Sequence, residues 1–72
     1  MNIELFAQTD IAEVVKAIAP NQKGRIKFRA SFWPAKFYTD SKIAVQPSEQ
    51  VVVVGRDGIT LLVTPIAATQ LA

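Results

Sequence analysis

The run QVVVVGRDGITLLVTP, residues 50–65, constrains the fold of this chain more than any other stretch. Two β-branched segments flank Gly55-Arg56-Asp57-Gly58, and Asp-Gly between apolar runs is a strong hairpin signal. Val51 and Val53 share one face with Leu61 and Val63, yet Val52, Val54 and Leu62 on the reverse face are apolar too. A hairpin apolar on both sides needs two covers, so the chain must be β-rich and must supply a second layer or borrow one. Val52, Val54 and Leu62, with Tyr38, are therefore the candidate partner-binding residues, to be masked by the N-terminal residues Ile3, Leu5 and Phe6 or by another chain.

At 72 residues the chain holds one small domain, and such a domain buries only about 60% of the surface its unfolded form exposes. Half the residues are apolar and 19% are charged, which is globular rather than disordered usage. Cysteine and histidine are both absent. That removes disulfides, thiolate nucleophiles, tetrahedral zinc sites and Ser-His catalysis, and leaves oligomerisation or docking as reinforcement. The opening MNIELFAQTD lacks the cationic start and apolar stretch of an export signal, and no apolar run approaches the roughly 20 residues of a spanning helix. A cytoplasmic location, peripheral to a membrane only through a partner, is expected.

Residues 1–10 read as an arm, because Ile3, Leu5 and Phe6 follow no period. The segment before Pro20 is ambiguous: Ile11, Val14, Val15 and Ile18 have helical spacing, Asp10 and Glu13 imitate a capping box, and Ala12, Val14 and Ile18 also suit a strand. After a turn at residues 21–24, Ile26 and Phe28 alternate with Arg25, Lys27 and Arg29 in a half-buried strand. Arg29-Ala30-Ser31 then connects to a strand with Trp33, Ala35 and Phe37 on one face and Lys36 and Tyr38 on the other. Pro34 confines the start of that strand to a sheet edge or a bulge. Residues 41–50 read as the least structured connection, and 66–72 as a tail after the domain at 11–65.

The search for chemistry is short. Ser31, Ser41 and Ser48 lie in predicted turns, where serine commonly bonds the backbone. Asp40, Glu49 and Asp57 form no acidic cluster, so no metal site is proposed, and no cofactor. Gly24, Gly55 and Gly58 each read as turn residues, and none opens a helix as a phosphate loop requires. What remains is a basic stripe, Arg25, Lys27, Arg29 and Lys36, beside Phe32, Trp33, Phe37 and Tyr38. Cations beside aromatic rings are how single-stranded nucleic acids are held. Against this, Trp33 and Phe37 share the apolar parity and fit a core better than a stacking platform, leaving only Tyr38 and Phe32 for the surface.

The stretch Gly24-Arg25-Ile26, then Ala30, Trp33-Pro34-Ala35, Val51-x-Val53 and Gly58-x-x-Leu61-x-Val63-Thr64-Pro65, resembles the C-terminal domain of NfeD-like proteins over about residues 18–65. Two positions depart from the family pattern: Ala30 and Ser48 stand where glycine is usual. The resemblance implies a five-stranded oligonucleotide/oligosaccharide-binding (OB) barrel. In the family a strand ending in hydrophobic-x-Pro precedes the first matched glycine, as Ile18-Ala19-Pro20 does here, which favours a strand over about 12–19. The expected fold is thus all-β: a small five-stranded Greek-key barrel with a short N-terminal arm. The resemblance also implies a non-catalytic module that meets stomatin-like membrane scaffold proteins. The expectation is a protein-interaction module, not an enzyme, with self-association open. The alternative is single-stranded nucleic-acid binding through Arg25, Lys27, Arg29 and Lys36.

Overall fold

The computed structural model describes residues 3–38 and 44–66. Five strands, β1 (Ile3–Lys16), β2 (Gly24–Phe28), β3 (Ser31–Phe37), β4 (Gln50–Asp57) and β5 (Thr60–Pro65), close into a barrel in the order β1-β2-β3-β5-β4. All neighbours are antiparallel except β3 and β5, whose parallel pairing of Ala35 with Leu61 and Phe37 with Val63 shuts the barrel. The Tyr38 N–H extends that seam by donating to the Val63 carbonyl at 2.9 Å. Before Ala35, β3 pairs only with β2 among the described residues, so Pro34 sits in the edge stretch its missing N–H requires.

Alternation builds the core. Ala12, Val14, Ile26, Ala35, Val51, Val53, Leu61 and Val63 point inward, joined by Ile18 and Val45 from the connections. Phe6, Phe28, Trp33 and Phe37 pack against this cluster from its margins. Each fully buried Val, Leu or Ile contributes about 1.5–3 kcal/mol, and the small cluster carries most of the stability.

The segment expected to be an arm is, from Ile3 onward, the first half of β1. Ile3, Glu4 and Leu5 pair with Asp57, Arg56 and Gly55, and pairing resumes at Asp10 with Val53. Between those rungs four residues of β1 face a single residue of β4, a bulge that swings Phe6 onto the core and erases any period in the sequence. A second irregularity at Val15, between the Val14–Ile26 and Lys16–Arg25 rungs, accounts for the helix-like spacing of residues 11–18. The strand reading holds there: β1 runs to Lys16, and Ile18 then forms a bridge to Val45.

Part of the connection expected to be loosest is pinned. The Ser48 N–H donates to the Val14 carbonyl and the Val14 N–H to the Glu49 carbonyl, both at 2.8 Å. Residues 46–49 form a turn closed from the Glu49 N–H to the Gln46 carbonyl, with Pro47 second and Ser48 third at φ 79°. That is type II geometry, whose third position favours glycine. Likewise Arg29 and Ala30, at φ 53° and 67°, make the two-residue β2–β3 connection in the doubly left-handed form that Asn-Gly prefers. Where the sequence departs from the glycine pattern, the turns keep glycine-like geometry and strain the residues in them.

The glycines are reassigned. Gly58 is a turn residue, at φ 66° in the two-residue Gly58-Ile59 connection. Gly55 lies inside β4 and Gly24 opens β2. A Cβ on Gly55 would sit 2.4 Å from the Glu4 carbonyl oxygen, and one on Gly24 would sit 2.3 Å from that of Ala17. Both are points where another backbone passes too closely for a side chain.

Candidate partner-binding surface

The hairpin's outer face is not the open patch its sequence suggests. Leu62 is 1% exposed, buried outside the main core cluster, so it cannot serve as a contact residue. Val52 and Val54 are half-buried, with Val54 set at the β4 bulge between the Val53–Val63 and Gly55–Leu62 rungs. Tyr38 is 43% exposed, at the far end of β3. Strict alternation across the hairpin fails at the β4 bulge, past which Leu62 pairs with Gly55.

The exposed apolar side chains lie elsewhere. Ile3, Leu5 and Ile59 stand near the hairpin tip, Ile59 at 73% exposure. Ile3 and Gly58 border a cleft of about 420 Å³ with Glu4 and Arg56. Ile11, Val15 and Phe32 project from β1 and β3, Phe32 at 58% exposure. Sequence reasoning missed Ile11 and Val15, which the helix-like period disguised, and it placed Phe32 correctly at the surface. Trp33 and Phe37 pack on the core as their parity required, although the Trp33 Nε1 is buried without an acceptor.

The basic stripe divides in two. Arg29 lies 3.5 Å from Asp10 and 5.0 Å over the Phe28 ring, beside a cleft of about 200 Å³ lined also by Phe6 and Gln8. The Lys36 Nζ donates to Asp57 Oδ2 at 3.1 Å, part-buried, and Arg56 pairs with Glu4 at 3.0 Å. Among the described residues Arg25 and Lys27 have no ion pair, and neither have Lys16 and Lys23. Register puts these residues on one outward face: Lys16 opposite Arg25 opposite Pro34, and Glu13 opposite Lys27 opposite Phe32. Lys23 precedes the buried Gly24 on β2, so alternation turns it outward as well.

A cleft of about 590 Å³ is lined by Glu13, Ser48, Glu49 and Gln50 among others. Its Ser48 is a turn residue, and the Glu49 carboxylate accepts from the Gln46 N–H at 2.9 Å. Among the described residues no acidic or other ligand cluster could hold a metal ion, and no helix is long and apolar enough to cross a membrane.

Three comparisons bear on this arrangement. Among curated proteins none matches the chain. Among solved structures, the C-terminal domain of stomatin operon partner protein 1510-C from Pyrococcus horikoshii is 34% identical, with 75% of this chain and 78% of that one covered at a TM-score of 0.62. The soluble domain of a membrane protein implicated in regulation of membrane protease activity, from Corynebacterium glutamicum, is 26% identical over 79% and 87% of the two chains, at a TM-score of 0.69. The model of the NfeD-like C-terminal, partner-binding domain matches residues 7–65, from the β1 bulge to the end of β5. That match spans well over half of the sequence, and the chain therefore belongs to the NfeD-like family and carries that family's C-terminal, partner-binding domain.

Proposed function

We infer that this barrel is a non-catalytic interaction module whose partner is a stomatin-like membrane scaffold protein, and that it meets the membrane through that partner. The observation that carries the reading is how the apolar residues are divided. Seven large apolar side chains, Tyr38 included, remain more than a third exposed among the described residues, as many as the seven largest that are fully buried. Scattered exposed apolar residues are ordinary, but here Val15 on β1 and Phe32 on β3 flank the cations of β2 on the outward side of the barrel. The kinship with a stomatin operon partner supplies the partner class.

The test is co-elution. The purified chain and the stomatin-family protein of its own organism, mixed at micromolar concentration, are expected to run together on size exclusion ahead of either alone. Independent elution, with the chain folded by circular dichroism, would sink the stomatin reading. Light scattering on the chain alone decides self-association, which this reading does not require.

A further inference from the structure

We propose that the outer face of β1, β2 and β3 docks an extended acidic segment of the partner protein. Its carboxylates answer Lys16, Lys23, Arg25 and Lys27, and its apolar side chains cover Val15 and Phe32. The proposal rests on the interaction reading above and names the chemistry of what is bound.

Charge complementarity carries the argument. The carboxylates of Asp10, Asp57 and Glu4 are taken by Arg29, Lys36 and Arg56, while Lys16, Lys23, Arg25 and Lys27 have no ion pair among the described residues. These four are not scattered. Lys16 and Arg25 face each other across β1 and β2, Arg25 and Lys27 occupy alternate positions along β2, and Lys23 immediately precedes that strand. Alternate residues of a strand are about 7 Å apart, the same spacing that an extended segment gives its own alternate side chains. Such a segment can turn the side chains of one parity onto this face, carboxylates over the β2 cations and apolar groups of that same parity toward Phe32 beside Lys27 and Val15 beside Lys16.

Two features select a polypeptide over other anions. Glu13 stands within the face, directly opposite Lys27 and without an ion pair. A nucleic-acid backbone or an anionic bilayer meets that carboxylate as a like charge, whereas a polypeptide can offer it a lysine or a backbone N–H. Stacking of successive bases needs several exposed rings, and with Trp33 and Phe37 packed on the core, Phe32 is the aromatic ring beside the free cations.

The experiment is fluorescence anisotropy with the full chain and a labelled peptide of about a dozen residues, enough at about 3.3 Å each to cross the face. The peptide carries Glu, Val and a central Lys at every second position, so that all face one way when it is extended, with Ser between them. Its competitors are the same peptide with Gln for every Glu, an oligo-dT strand of similar length, and phosphatidylcholine vesicles containing phosphatidylserine. The acidic peptide is expected to bind at least about tenfold more tightly than its Gln counterpart and more tightly than DNA or vesicles. Arg25→Glu/Lys27→Glu is expected to remove that preference with the melting temperature nearly unchanged, both side chains being exposed. Should that variant misfold, Arg25→Gln/Lys27→Gln replaces it with the same expectation.

Equal affinity for the two peptides, tighter binding of DNA or vesicles, or binding indifferent to the substitutions would overturn the proposal. If the stomatin-family protein co-elutes with the charge-reversed chain as it does with the parent, this face is refuted and the partner reading survives. If co-elution fails while the acidic peptide still selects this face, the face stands and the partner class falls.

Discussion

On the outer side of the β4–β5 hairpin, Leu62 is buried, Val52 and Val54 are half-buried, and the neighbouring cations Lys36 and Arg56 hold Asp57 and Glu4. On the outer side of β1, β2 and β3, Val15 and Phe32 are exposed and Lys16, Lys23, Arg25 and Lys27 have no ion pair among the described residues. Both faces belong to one small barrel, and both mix apolar residues with charge. The first satisfies its demands internally, and the second leaves them for something else to meet. Apolar composition therefore does not locate a docking surface. What locates it is which groups the closed barrel leaves uncompensated.

The sharpest way to break that contrast is to place the same charge on each face. Leu62→Lys puts an ammonium into a buried site and is expected to unfold the domain or cost at least about 3 kcal/mol by chemical denaturation. Phe32→Lys is expected to stay within about 0.5 kcal/mol of the parent, since the ring is mostly in water. Equal losses would mean that the two faces are built alike.

Gly55→Ala probes the closed face more gently. Its Cβ meets the Glu4 carbonyl, so the first half of β1 must move off β4. A loss of about 2 kcal/mol is expected, with amide exchange accelerating first at residues 3–5. Uniform exchange across the barrel would show that the long first strand is not anchored there.

The turns offer gains. Ser48→Gly, and Asn-Gly in place of Arg29-Ala30, relieve left-handed non-glycine residues and are each expected to add about 1 kcal/mol, or about 4–8 °C in melting temperature. No gain at Ser48 would mean that its hydroxyl contributes as much as its backbone costs. The smallest effect is expected from the part-buried Lys36–Asp57 pair, where Asp57→Asn should lose no more than about 1 kcal/mol, less at high salt.

Much of the barrel was legible because alternation survives in most strands. Trp33, Ala35 and Phe37 declared their inward parity, Val51 and Val53 matched Leu61 and Val63, and Pro34 marked an edge. The first strand was not legible, because two irregularities break its period. One hid residues 3–10 as an arm, and the other gave residues 11–18 a helical spacing. Asp-Gly identified the hairpin but not its turn, since Gly55 reads the same whether it bends the chain or admits a neighbouring backbone. The site was half legible. Arg25, Lys27 and Phe32 were visible as a basic and aromatic stretch, but ion pairing to Asp10 and Asp57, far away in sequence, decided which cations stay free. Leu62 was misread because the reading carried strict alternation across the hairpin, where β4 bulges at Val54 and the register shifts.

The most direct measurement is a nitrogen-15 NMR titration of the chain with its stomatin-family partner, or with the acidic peptide in its place. Amide shifts are expected to move at Lys16, Arg25, Lys27 and Phe32 while Val52, Val54 and Leu62 stay still. Perturbation centred on β4 and β5, with β2 silent, would contradict the account.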